Sequence, residues 1–122
     1  MILVDTSIWI DHFRAKEPLL AELLDANRVL IHPFIIGELA CGNLGNRNVI
    51  LSLLRKLPAV QLATDAETLL LIERQSLMGK GIGYIDAHLL AAVFLTATAR
   101  VWTRDKRFNA IVSSMHLAFD PP

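Results

Sequence analysis

A single cysteine in 122 residues excludes a disulfide scaffold, because Cys41 has no partner within the chain. That usage fits a reducing compartment and predicts that Cys41 is buried as a small apolar side chain. Long apolar runs are missing too: none reaches the roughly 18 residues of a membrane span. The opening Met1-Ile2-Leu3-Val4-Asp5 lacks the basic lead of a secretory signal, so a soluble, cytoplasmic protein with no membrane partner is expected. Neither sign of charge is in excess. Twelve Lys and Arg stand against twelve Asp and Glu, so the total gives no nucleic-acid footprint, although a zero sum can conceal segregated charge. Repeats, low-complexity tracts and linkers are absent, which leaves one domain over residues 1–122 as the expectation.

Apolar residues make up 53% of the chain and charged residues 20%, which argues against disorder and for a core that needs neither a bridge nor a metal. Short apolar runs at residues 2–4, 29–31, 60–62 and 101–103, with a weaker one near 116–119, alternate with stretches of helical spacing. The runs lack polar alternation, as do strands covered on both faces of a parallel sheet. An α/β three-layer sandwich follows, with a central, mainly parallel sheet of four or five strands flanked by helices. Helices are predicted over residues 7–13, 17–26, 34–41, 46–57, 65–77 and 84–96, with a short one after Asp105. Thr64-Asp65-Ala66-Glu67 reads as a capping box, Gly42 and Gly79 read as helix stops, and Gly79-Lys80-Gly81-Ile82-Gly83 as a loop between helices.

Four acids stand in apolar company. Asp5 closes the first strand, at the end where parallel sheets form their ligand crevice; the same position suits a helix cap. Glu38 shares a helical stripe with Phe34, Ile35 and Cys41, and Asp86 shares one with Leu89, Leu90 and Val93, so both are expected to face inward. A salt bridge to an arginine would equally explain Glu38, and the helix dipole would explain Asp86 as a first-turn acid. Asp105 follows the 101–103 strand, at the edge that Asp5 occupies, and also suits a turn or cap. Two acids after strand ends and two on returning helices predict convergence on one crevice. Crowded carboxylates repel unless a divalent cation compensates them, and oxygen-only ligands suit Mg²⁺ or Mn²⁺. One cysteine and no His-Glu-x-x-His disfavour zinc.

The same residues sit in motifs that resemble the PIN-domain ribonucleases, in particular VapC-type toxins of toxin–antitoxin pairs. Val4-Asp5-Thr6-Ser7 followed by Ile8-Trp9-Ile10 is similar to the family's opening strand. Ile36-Gly37-Glu38-Leu39 matches its second acid and Asp86-Ala87-His88-Leu89-Leu90-Ala91-Ala92-Val93 its third. Thr103-Arg104-Asp105-Lys106-Arg107-Phe108 matches its late Thr-x-Asp-x-x-Phe. The resemblance spans the chain. It implies a PIN-like fold and a metal-dependent endoribonuclease that hydrolyses RNA phosphodiester bonds, with Asp5, Glu38, Asp86 and Asp105 as catalytic residues around Mg²⁺, or Mn²⁺ in its place. It implies also a cognate VapB-type antitoxin and a homodimer.

Thr6 and Thr103 could orient the carboxylates from behind, or be surface and strand-filling hydroxyls. With the four acids set aside, twelve basic residues face eight acidic ones, a net +4 that would attract an RNA backbone. Arg104, Lys106 and Arg107 flank Asp105 as candidate phosphate contacts, with a solvated charge run as the plain alternative; Lys80 and Arg14 are lesser candidates. His12, His32, His88 and His116 share no metal-ligand spacing, and Trp9 and Trp102 read as core. Residues 46–57 carry an apolar face wider than a small domain needs, which marks either a partner surface or a sandwiched helix.

Other classes fare worse. A receiver or phosphotransfer domain with Asp5 as nucleophile expects a second aspartate two positions on, where Ser7 stands. The 79–83 glycines have the wrong spacing for a dinucleotide loop, and no Gly-x-Ser-x-Gly elbow is present. A non-cleaving RNA- or protein-binding module that keeps the PIN fold is the remaining alternative.

Overall fold

Ile2–Val4 form β1, and all three residues are buried. A strand covered on both faces needs neighbours on both edges. In the computed structural model, which describes residues 1–121, β2 (Val29–Leu30) and β3 (Arg100–Trp102) flank β1, both parallel to it. The register pairs Leu3 with Leu30 and with Val101, and Val4 with Trp102. Parallel neighbours require long crossovers, and helices supply them. Between β1 and β2 run α1 (Thr6–Arg14) and α2 (Pro18–Asp25). Between β2 and β3 run α3 (Pro33–Ala40), α4 (Arg47–Arg55), α5 (Asp65–Arg74) and α6 (Tyr84–Leu95), and α7 (Lys106–Ser114) follows β3.

The helix starts have local causes. Pro18 and Pro33 open α2 and α3 at the position where a missing N–H costs nothing. Thr64 and Glu67 form the capping box that the sequence announces, Thr64 Oγ1 accepting from Glu67 N at 3.1 Å and Glu67 Oε1 from Thr64 N at 3.0 Å. α6 is buried without interruption from Ala87 to Val93, as befits a helix apolar on every side. It packs beside α5 and beneath β3, and Leu3, Ile8, Leu90 and Phe108 are among the fully buried side chains at the centre.

Several expectations are corrected. The sheet of the described residues has three strands where four or five were expected. The fourth and fifth places are held by single parallel bridges, Ile31 with Ala59 and Val101 with Ala118. Each run is cut short by a competing bond. Gln61 N donates to Thr96 Oγ1 at 2.9 Å, leaving the sheet, and Leu117 N turns back to Val112 O at 2.8 Å, with His116 in the left-handed region at φ 59. Gly79 does not stop α5. Ser76, at φ 52, ends it with the 6→1 bond from Leu77 N to Ile72 O, so a serine takes the place usually filled by glycine. Cys41 is exposed at the end of α3, because the turn there carries it out of the packed face.

Thr64→Ala removes the oxygen that caps α5 and is expected to cost about 1 kcal/mol of unfolding free energy. A denaturation midpoint equal to the parent's would show the box to be idle.

Candidate active site

Because β1 and β3 are parallel and paired in register, their C-terminal ends lie side by side. Asp5 N donates to Trp102 O at 2.9 Å, carrying the ladder one residue past β1. That places Asp5 against Thr103, whose Oγ1 donates to Asp5 Oδ2 at 2.7 Å in a buried bond. Thr103 Oγ1 in turn accepts from Asp105 N at 3.1 Å, so one hydroxyl ties two of the four acids together.

Both aspartates are also helix caps. Asp5 Oδ1 accepts from Thr6 N at 2.8 Å at the start of α1, and Asp105 Oδ1 accepts from Phe108 N at 3.0 Å at the start of α7. The cap reading and the site reading therefore hold together. A short side chain just past a parallel strand caps the next helix and faces the crevice with its remaining lone pairs.

Glu38 departs from expectation. It is exposed, as are Cys41 and Phe34; the side they share is the outer side of α3, while Ile35 and Leu39 face the core. What aims Glu38 at the site is Thr6, whose Oγ1 donates to Glu38 Oε1 at 2.7 Å. No arginine pairs with it; the ion pairs of the described residues involve none of the four acids.

Asp86, in the first turn of α6, reveals the convergence. Burial pushes its carboxyl up to about 6, and the charges of Asp5, Asp105 and Glu38 push in the same direction. The N–H of Gly83 opposes this and is outweighed. Four acids from four separate segments thus share one field with no cation among them. The cluster is open: among the described residues, no three His, Cys, Asp or Glu side chains form a group that would hold a metal ion as they stand. In kind, however, the donors fit a hard divalent cation, being oxygen-only and uncompensated. Ser7 Oγ, two residues beyond Asp5, is shut from solvent without a hydrogen-bond partner.

Helix α6 is pinned beside this cluster by contacts that a motif search passes over. Tyr84 Oη donates to Asp65 Oδ1 at 2.8 Å, and His88 Nε2 lies 2.9 Å from the same oxygen. His88 Nδ1 lies 3.3 Å from Thr68 Oγ1. The hydrogen bonds from Tyr84 and His88 hold the Asp65 carboxyl below its ordinary range. Asp86 sits between Tyr84 and His88, so the first turn of α6 is fixed to α5 on both sides of it. Sequence offered little sign of this, because Asp65 and Tyr84 each look like unremarkable first-turn residues. Two of the other three histidines are engaged as well: His32 Nδ1 accepts from Phe34 N at 2.9 Å and His12 Nδ1 from Glu17 N at 3.0 Å.

The cations near Asp105 separate into two kinds. Arg104 is claimed by Asp11 and Glu17, with Trp102 beneath its guanidinium, and the carboxylates raise its pKa. This corrects the expectation of a phosphate contact: Arg104 clasps the end of β3 to α1 and the start of α2. Lys106 and Arg107 make no ion pair among the described residues.

The PIN domain family matches residues 2–113, and the chain belongs to that family. Within it, the chain is 46% identical over 118 residues to Ribonuclease VapC32 of Mycobacterium tuberculosis, in strains CDC 1551 / Oshkosh and H37Rv alike. The alignment covers 97% of this chain and 95% of the relative.

The crowding has a measurable signature. The folded pKa of Asp86, about 6, lies above its ordinary 3.8, so its contribution to stability is present below pH 3.8 and lost as pH rises through about 6. His32 acts oppositely. Burial, aided by nearby His88, lowers it from 6.5 to about 4, so its contribution is present above pH 6.5 and lost as pH falls through about 4. In EDTA, Asp86→Asn is expected to be more stable to urea than the parent at pH 7 and to gain stability more steeply between pH 4 and 6.5, where Asp86 no longer opposes His32. A variant no more stable than the parent at pH 7 would mean that the acids do not crowd Asp86.

Proposed function

We propose that this protein is a metal-dependent endoribonuclease and the toxin of a VapBC-type pair. The observation that carries the reading is the convergence of Asp5, Glu38, Asp86 and Asp105 on the C-terminal edge of a parallel sheet without a compensating cation among the described residues, Asp86 being raised to about 6 by burial and by the charges of the other three. Similarity to a protein named as a ribonuclease supports it.

The four acids would hold Mg²⁺ or Mn²⁺. When bound, such an ion activates water and stabilises charge on phosphoryl oxygens. The chain supplies the rest. Thr103 fixes Asp5 Oδ2 and the amide of Thr6 fixes Asp5 Oδ1, so the carboxylate keeps one orientation. Thr6 restrains Glu38, which would otherwise swing freely on an exposed helix face. The α7 cap restrains Asp105, and the Gly83 amide restrains Asp86. Each acid is thereby held ahead of ligand binding, which lowers the entropy of assembling the site. A non-cleaving module would have no use for four oriented, mutually repelling carboxylates.

The antitoxin's place is the groove between α1, α2 and α4. It encloses about 410 Å³ lined by Trp9, Phe13, Leu24, Ile50, Leu53 and Leu57, and Leu53 is 57% exposed on its rim. The apolar excess of residues 46–57 lies here, so an apolar segment of the antitoxin would fit it. The reading also carries a homodimer. Exposed Leu70, Phe94 and Leu95, edged by Glu67 and Arg74 between α5 and α6, form the apolar surface a second copy would cover.

Purified protein is expected to cleave RNA with Mg²⁺ or Mn²⁺ and to stop in EDTA. Asp5→Asn and Asp86→Asn are expected to lose activity roughly 100-fold or more while folded. Undiminished cleavage by folded variants would defeat the assignment. A co-expressed cognate antitoxin is expected to co-purify with the parent and to be lost from Leu53→Asp, whose cleavage of RNA stays at the parent's level. Equal recovery from both would move the antitoxin elsewhere.

A further inference from the structure

The loop of residues 79–83, whose glycine spacing fits no dinucleotide site, has a different use. Gly81 is in the left-handed region at φ +82, and a Cβ placed on it would stand 2.6 Å from Arg107 Cδ and 2.7 Å from Nη1. The Arg107 side chain therefore lies across bare backbone, closer than any other residue at 81 would allow. Both ends of this contact are tied to site acids. Gly83, two residues along the loop, hydrogen-bonds the Asp86 carboxylate through its N–H, and Arg107 stands two residues after Asp105 in the helix that Asp105 caps.

The charge on Arg107 is unspent. It makes no ion pair among the described residues, in contrast to Arg104, which takes two carboxylates. It occupies the first turn of α7 beside Lys106, where the helix dipole disfavours a cation. A guanidinium packed on the loop that leads into the Asp86 helix, two residues past Asp105 and without an ion pair among the described residues, is suited to an anion that brings its own charge. Its planar fork matches two oxygens of one phosphate.

Resting on the ribonuclease reading above, we propose that Arg107, seated on Gly81, grips a backbone phosphate of the RNA strand as it enters the acid site. Gly81 is the positioning residue: it leaves room for the arginine to lie flat. A methyl group there displaces the flexible end of Arg107 and leaves the site acids in place.

The test measures binding apart from cleavage. In an Asp5→Asn background that leaves RNA intact, a labelled random-sequence single-stranded oligoribonucleotide is titrated by fluorescence anisotropy at several salt concentrations. Arg107→Ala is expected to weaken binding roughly ten-fold and to reduce the slope of log affinity against log salt by about 0.7. Arg107→Lys is expected to restore the slope but not the full affinity. Gly81→Ala is expected to weaken binding when Arg107 is present and to have no effect in the Arg107→Ala background, with circular dichroism confirming the fold. Unchanged affinity and slope in Arg107→Ala would overturn the proposal alone, as would an equal effect of Gly81→Ala in both backgrounds. A parent that binds no RNA would overturn the ribonuclease reading with it.

Discussion

The hydrogen bond from Thr103 to Asp5 joins residues 98 positions apart, and the rest of the site depends on it. It exists because Val4 pairs with Trp102, which brings the next residue of each strand to the same edge of the sheet. A slip of one residue would put the two side chains on opposite faces of the sheet. The register is held by core packing on both faces of β1, where Ile2, Leu3 and Val4 are all buried, and by the bond from Asp5 N to Trp102 O. Hydrophobic burial, which has no directional chemistry of its own, thus fixes the orientation of a carboxylate. From Asp5 the geometry spreads outward: its amide neighbour Thr6 restrains Glu38, and Thr103 accepts from the amide of Asp105.

Against this order stands a cost. Asp86 is half-buried and faces three like charges, so its ionised form is disfavoured in the protein alone. Nothing in the fold requires an acid there; an asparagine would keep the Gly83 hydrogen bond without the repulsion. The site gives up stability that a neutral residue would retain, the trade expected where binding a cation is the purpose of the arrangement. The cost is met locally. The network of Tyr84, Asp65, His88 and Thr68 fixes the first turn of α6 to α5, so the turn that carries Asp86 cannot easily move off and dissipate the strain.

Which parts were legible in sequence follows from what each depends on. The alternation of short apolar runs with helical stretches reports burial, and burial set the strand order around β1; hence the fold class was readable. The acids were readable because charge in apolar company is costly wherever it occurs. Edge strands were not, because their extent is decided by single competing bonds, such as that from Gln61 to Thr96, which leave no periodic trace. Glu38 was expected to face inward and instead stands on the exposed side of its helix. Its helical stripe is the exposed one, and its aim comes from Thr6, which lies 32 residues earlier. Tertiary pairs of that kind are invisible to any argument confined to one helix.

The cations show the same division most sharply. Arg104, Lys106 and Arg107 flank Asp105 within four residues and look equivalent as sequence, yet direction along the chain separates them. Arg104 still belongs to the extended segment leaving β3, so it projects toward α1 and the start of α2, where Asp11 and Glu17 neutralise it. Arg107 lies past the Asp105 cap, where the chain has become helical, and the turn rotates its side chain onto the loop before α6. The cap therefore does more than start α7. By switching the backbone from extended to helical between Arg104 and Arg107, it sends one arginine to brace the scaffold and lays the other on Gly81, without an ion pair among the described residues.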